Sequence, residues 1–151
     1  MRVILMVGPP ASGKNYYADW GFEPTVRLCA DKLREIITGD ESNQDRNHIV
    51  FEQLFNFARI LLKQNKDICI VNTNYNKKNR KNWVALAKEF NAELKAVVMR
   101  TPIEICLKRN SLRKRRVPIT VITKQFENFE EPTEEEGFSK IHNITYKGDP
   151  F

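Results

Sequence analysis

The apolar run Val3-Ile4-Leu5-Met6-Val7 passes without a break into Gly8-Pro9-Pro10-Ala11-Ser12-Gly13-Lys14-Asn15, and no other feature constrains the fold as much as this junction. Five apolar residues in succession read as a strand buried on both faces, the mark of a parallel sheet. The frame that follows, G-x-x-x-x-G-K, is that of a phosphate-binding loop. Its glycines let backbone N–H groups wrap an anion, and the next helix aims its positive end at the same place. Lys14 adds a mobile point charge. The alternative is a turn that merely contains glycines and a lysine. The loop's place, where strand gives way to a helical pattern (Tyr16, Tyr17, Trp20), favours phosphate binding. Asn15 departs from the Ser or Thr that completes the frame.

Strand and helix then alternate to the end of the chain. Strands are expected at 2–7, 25–30, 67–73, 92–100 and 140–146. Helices are expected at 13–20, from Asp31 as a capping residue through Ile37, and at 48–64, 76–90, 102–112 and 118–129. Such alternation argues an α/β fold with a mostly parallel sheet covered by helices on both faces, and ligands bind at the carboxyl ends of its strands. The polar residues at those ends are Asp31 and Arg34, Asn72 to Asn74, and Arg100 with Thr101. A chain of 151 residues without repeats or a linker is expected to be a single domain, 1–151.

Asp31 and Arg34 stand three apart at a helix start, so both side chains can face one cleft. There a carboxylate can accept a proton from an attacking hydroxyl while the arginine orients it or binds phosphate. The plainer reading is a capping Asp beside a surface Arg. Lys108 to Arg116 holds six basic residues in nine positions, with Arg109 and Arg113 four apart on one predicted helix face. A basic helical lid suits a site that stabilises phosphoryl charge. A solvated helix end, a nucleic-acid patch or a nuclear signal are the rival readings, and Lys114 to Arg116 are expected mostly at the surface. Lys77, Lys78, Arg80 and Lys81 read as a solvated face. The stripe of Phe51, Phe55 and Phe57 reads as core, and His48 and His142 carry no expected chemistry.

Lys and Arg outnumber Asp and Glu by 25 to 19, a net charge of +6 that favours polyanionic partners without naming one. Cys29, Cys69 and Cys106 lie far apart in apolar stretches, as core thiols of a reducing compartment do. With no apolar run long enough to cross a bilayer, an intracellular, cytoplasmic location is expected, or a nuclear one in a eukaryote.

These features together resemble the polynucleotide 5′-kinases, both the phage type and the kinase domain of the animal end-repair enzyme. Gly8 to Lys14 match the family's P-loop, Asp31 and Arg34 its D-x-x-R, and Val71-Asn72-Thr73-Asn74 its D-N-T-N. Arg109 and Arg113 fall where the phage lid arginines do. Lys124 to Glu127, Pro132-Thr133 and Glu136 to Ser139 resemble the animal terminus. The resemblance implies a P-loop NTPase kinase fold with a basic helical lid, transferring phosphate from ATP to 5′-hydroxyl ends of DNA or RNA. Gly8, Pro10, Ala11, Ser12, Gly13, Lys14 and Asn15 would cradle ATP with Arg109 and Arg113. Catalysis would fall to Lys14, Asp31 as base, Arg34 and Arg113. Mg²⁺ would be held weakly, at Asn15, through substrate phosphates and water. Asn15 and Val71 depart from the family's hydroxyl and carboxylate. The alternatives are a kinase of a nucleoside or other small molecule, and a nucleotide-binding module without turnover. Neither a membrane nor a protein partner is implied.

Overall fold

The computed structural model describes residues 1–149; of the expected span 1–151, the last two residues lie outside the described ones. The apolar segments form five strands, β1 (Arg2–Val7), β2 (Val26–Leu28), β3 (Ile68–Val71), β4 (Glu93–Arg100) and β5 (Lys140–Thr145). They make one sheet in the order β2-β3-β1-β4-β5, and every neighbouring pair is parallel. The central β1 is buried from Val3 to Val7, flanked by β3 and β4. The chain reverses its direction of travel across the sheet at β1, so the loop after it opens at the switch point where parallel sheets hold ligands.

Six helices connect the strands: α1 (Lys14–Trp20), α2 (Ala30–Thr38), α3 (Asn47–Lys63), α4 (Lys77–Glu89), α5 (Ile103–Ser111) and α6 (Ile119–Glu127). Their cover of the sheet is uneven. The larger core sets Val3, Leu5 and Val7 against Val50, Leu54, Ala58 and Leu62 of α3 and Trp83, Leu86 and Ala87 of α4. On the other face Ile4, Met6, Cys69, Val71 and Val97 meet only Ala18 of the short α1, with Tyr17 and Phe22 at the margin. The register of α3 corrects the expected phenylalanine stripe. Phe55 stacks on Trp83 with ring centres 4.0 Å apart, but Phe57 points to solvent because the inward face is 50-54-58-62. Cys69 and Cys106 are buried, Cys29 is half-buried, and all three are free thiols. Burial pushes Cys69 up to about 12 and Cys106 to about 11, so both stay protonated.

A second correction concerns Arg80, which is not solvated. Lys77, Lys78 and Lys81 are exposed, but Arg80 is fully buried under the segment that follows α6. Its Nε donates to Glu136 Oε1 at 2.9 Å and its Nη1 to the carbonyl of Asn74 at 2.9 Å. Asn74, itself buried with a left-handed φ of 46°, donates from Nδ2 to the carbonyl of Met6 at 2.8 Å. Arg80 therefore ties the terminal segment and the residues just after β3 to the end of β1, just before the phosphate-binding frame. Breaking a buried pair strands its partner's charge, at a cost of about 3–5 kcal/mol. Arg80→Ala is expected to lower Tm by about 10 °C; a shift below about 2 °C would show the pair to be dispensable.

Candidate functional site

The loop after β1 is shaped by two glycines. A Cβ on Gly8 would fall 2.6 Å from Ser12 Oγ and 3.2 Å from Met99 Cβ, so the loop closes this tightly only around glycine. Gly13, with φ 96°, is the residue before α1 and takes a left-handed conformation that side chains resist. Ala11 is left-handed too, with φ 63°. The loop is pinned from behind, because the Gly8 amide donates to the carbonyl of Thr73 at 2.9 Å. The Thr101 hydroxyl donates to the carbonyl of Ser12 at 2.7 Å. The ends of β3 and β4 thus clamp it from either side.

Lys14 folds back over the loop, donating to the carbonyls of Gly8 at 2.9 Å and Pro9 at 2.8 Å. Burial lowers its ammonium to about 8, although the Asp31 carboxylate raises it; Arg113 acts in the same direction as burial. The fields of Asp31 and Arg113 therefore converge on the Lys14 ammonium. Arg109, half-buried at the end of α5, donates from Nη1 to the carbonyl of Ala11 at 3.2 Å. It also pairs with Asp149 and lies 5.6 Å from the centre of the Tyr146 ring. Arg113 is exposed, beyond the end of α5, where its amide donates to the carbonyl of Asn110. Arg109 and Arg113 thus do not share a helix face: the basic lid is α5, a basic turn and α6, rather than one continued helix.

Below pH 8 the Lys14 ammonium is charged and available to an anion; above pH 8 the unliganded loop loses that charge. A bound phosphate would hold the proton, so anion affinity is expected to fall by about tenfold per pH unit above 8, with proton uptake on binding. Calorimetry with ATP at pH 8.5 in buffers of different ionisation enthalpy checks this. No proton uptake would mean that Lys14 does not meet the phosphates.

Asp31 is the second residue of α2 and not its cap. The extended Cys29 precedes the helix, and the first amide, that of Ala30, is capped instead by Asn72 Oδ1 at 3.0 Å from the end of β3. This long-range cap leaves the Asp31 side chain free to project, about half exposed. Its Oδ1 accepts from Arg34 Nη1 at 2.7 Å and its Oδ2 from Arg115 Nη1 at 3.4 Å. Arg34 is buried and also donates to Asn47 Oδ1 at 2.9 Å and to the carbonyl of Glu41 at 3.4 Å. Arg115, expected at the surface, is half-buried against Asp31.

The positions read as metal-linked are bare. Asn15 is exposed, with no hydrogen bond from its side chain among the described residues, and Val71 is buried in the apolar cluster on the α1 face. Among the described residues no three His, Cys, Asp or Glu side chains gather as a metal site. No helix among them is long and apolar enough to cross a membrane. Arg100 is occupied by Glu131 and Asn143, and its bond to Asn143 braces β4 against β5.

A parallel 2-3-1-4-5 sheet with a glycine-pinned phosphate loop after β1 and a basic lid over it defines a P-loop kinase fold. The family model described as an AAA domain matches residues 3–133, and the chain belongs to that family. It is similar to the bifunctional polynucleotide phosphatase/kinase of Schizosaccharomyces pombe, 24% identical over 97% of this chain and 34% of that one. It is also similar to transcription factor bHLH140 of Arabidopsis thaliana, 27% identical over 92% of this chain and 15% of that one. A third relative is the L-seryl-tRNA(Sec) kinase of Methanococcus maripaludis, 27% identical over 86% and 53%. The chain therefore spans between about a seventh and about a half of these relatives' lengths. Among solved structures the fold matches the Pnkp1/Rnl/Hen1 RNA repair complex with a TM-score of 0.70, at 22% identity over 85% of this chain and 46% of that one.

Proposed function

We propose that the chain is an ATP-dependent kinase of 5′-hydroxyl ends of DNA or RNA. The observation that carries the reading is the glycine-pinned phosphate loop, over which Lys14 folds and in which the buried Ser12 hydroxyl has no partner, together with the Asp31 carboxylate held between Arg34 and Arg115 of the basic turn. ATP fits the residues present. Ser12 Oγ is buried without a partner, as a hydroxyl is that waits for a phosphate oxygen, and the left-handed Ala11 and Gly13 shape the loop for backbone N–H donation. For Mg²⁺ the loop offers only the neutral amide oxygen of Asn15, so a metal ion would arrive with the nucleotide, held by its phosphates and water, and neutralise phosphate charge there.

In this reading Lys14 and Arg113 bind the β- and γ-phosphates, with Arg109 steadying the lid. Asp31 takes the proton of the acceptor hydroxyl as its oxygen bonds to the γ-phosphorus, and the bond to the β-bridging oxygen breaks to release ADP. Arg34 acts through Asp31, which it holds from the buried side. The basic turn favours a polynucleotide over a small acceptor, because free nucleosides carry no charge for it to attract.

A nucleotide-binding module without turnover is favoured by one specific observation, the apolar seat of Val71 together with the uncharged Asn15. Transfer of labelled γ-phosphate from ATP separates the readings, with and without Mg²⁺. Label on a 5′-hydroxyl oligonucleotide and not on nucleosides is the expected result. Label on nucleosides alone would move the acceptor to small molecules. ATP binding without transfer to either would establish the module.

A further inference from the structure

The basic cluster on α4 takes no part in the site described above. Arg80 turns inward, but Lys77, Lys78 and Lys81 are exposed. With Val84 and Glu136 they line a groove of about 320 Å³. Lys77, Lys81 and Val84 follow one another at i, i+4 and i+7 on one helix face, so the two lysine stems start about 6 Å apart beside an apolar floor. Among the described residues none of the three lysines forms an ion pair. The acids nearby are engaged elsewhere. Glu136 Oε1 accepts from Arg80 Nε at 2.9 Å, and its Oε2 accepts from Arg80 Nη2 at 3.3 Å and from the Thr133 amide at 2.9 Å. Glu130 Oε1 accepts from the Lys77 amide at 3.4 Å, not from its ammonium. Glu134 and Glu135, exposed on the adjoining turn, pair with none of the lysines. The groove therefore presents three positive charges that the fold leaves uncompensated.

No large apolar side chain is exposed on α4, so this face offers no hydrophobic anchor to an amphipathic protein segment or to a membrane. What it suits is a polyanion with a regularly repeated charge. We propose that this face of α4 holds the sugar-phosphate backbone of a polynucleotide, several nucleotides from the end that enters the Asp31 cleft. The course of the strand rests on the end-kinase reading; its binding to α4 does not. α2 and α4 begin at the carboxyl ends of the adjacent strands β2 and β3 and pack on the same core. Asn72 caps the helix that carries Asp31, and Lys77 follows Asn72 by five residues, at most about 18 Å of chain. A strand leaving the cleft across β3 thus meets the lysines next. Their ammonium groups are point charges without the planar fork of arginine, so the contact is independent of sequence and driven by counterion release.

The salt dependence of binding tests this without turnover. A single-stranded DNA of about fifteen nucleotides and a dinucleotide, both with free 5′-hydroxyls, are titrated into wild type and two triple variants. One is Lys77→Ala/Lys78→Ala/Lys81→Ala. The other, Lys63→Ala/Lys66→Ala/Lys140→Ala, removes three exposed lysines from the opposite edge of the sheet. Each phosphate contact on a single strand adds about 0.7 to the slope of log affinity on log salt, so the slope should flatten by about two in the α4 variant. Its deficit against wild type should then be about twentyfold larger at 50 mM than at 200 mM salt. The other variant should keep the wild-type slope, and the dinucleotide should bind all three proteins alike. An unchanged slope in the α4 variant, an equal flattening in the other, or an equal loss on the dinucleotide would each overturn the assignment. So would poly-glutamate that binds wild type as tightly as the DNA and loses as much in the α4 variant, since the face would then serve an acidic protein. Transfer of labelled phosphate from ATP to the longer DNA by wild type is followed in parallel. A flattened slope without transfer refutes the end-kinase reading and leaves α4 a polynucleotide-binding face. Transfer with an unchanged slope keeps the kinase and removes α4 from the path of its acceptor.

Discussion

Lys14→Met is expected to lower phosphate transfer by about 10³ and ATP affinity by about ten- to a hundredfold, without loss of stability. The first figure is the scale on which removal of one preorganised donor to a transition-state oxygen is felt. The second follows from the loss of a charge-assisted hydrogen bond to phosphate. Stability is the discriminating part. Folding lowers the Lys14 ammonium to about 8 by burying it, so the charged form is disfavoured in the folded state. That destabilisation is fully present below pH 8 and fades as pH rises towards the unfolded value. A methionine keeps the apolar stem and removes the buried charge, so Tm at pH 7 should match or exceed wild type. The carbonyls of Gly8 and Pro9 lose a donor, but they line an open loop. Wild-type turnover in this variant would refute phosphate binding by the loop. Lost turnover together with a large fall in Tm would make Lys14 a structural residue.

Much of this site was legible in the chain because local chemistry dictates it. Gly8, Gly13 and Lys14 announce a loop whatever surrounds them, and an apolar run as continuous as Val3 to Val7 has no place except the middle of a parallel sheet. Helix ends shifted by only a residue or two. The cap of α2 was hidden for a physical reason: Asn72, 42 residues away, supplies the acceptor that a local Asp would otherwise provide. Nothing local marks that exchange, and it is what leaves the Asp31 side chain free to project. Arg115 was hidden in a different way. A run of like charges carries no information on which member turns inward, since the bonds of Asn110 to Val117 and the course of the 39–47 connection decide it. The burial of Arg80, by contrast, was open to a stricter count. At helical spacing Arg80 falls in line with Trp83 and Ala87, the buried stripe of α4, while Lys77, Lys78 and Lys81 fall outside it.

Asp31→Asn carries the mechanistic weight, because it separates a base from a scaffold. The substitution is nearly isosteric, and the amide oxygen still accepts from Arg34 Nη1, so the buried arginine keeps a partner. What disappears is the capacity to accept a proton from the attacking hydroxyl, which is worth about 10²–10⁴ in rate. Turnover on an oligonucleotide acceptor should fall by that factor, while ATP affinity at pH 7 changes by less than about threefold. A secondary effect gives an internal check. The Asp31 carboxylate raises the Lys14 ammonium, so its removal lets that group fall further below 8. The pH at which ATP affinity begins to decline should therefore move down in the variant. This shift requires only that Asp31 and Lys14 share a field; the rate loss requires that Asp31 meets the acceptor. The shift with wild-type turnover would leave Asp31 a neighbour of the nucleotide site with no part in proton transfer. Loss of both ATP binding and Tm would show that the Asp31–Arg34 pair holds the cleft together, and the base would have to be sought elsewhere.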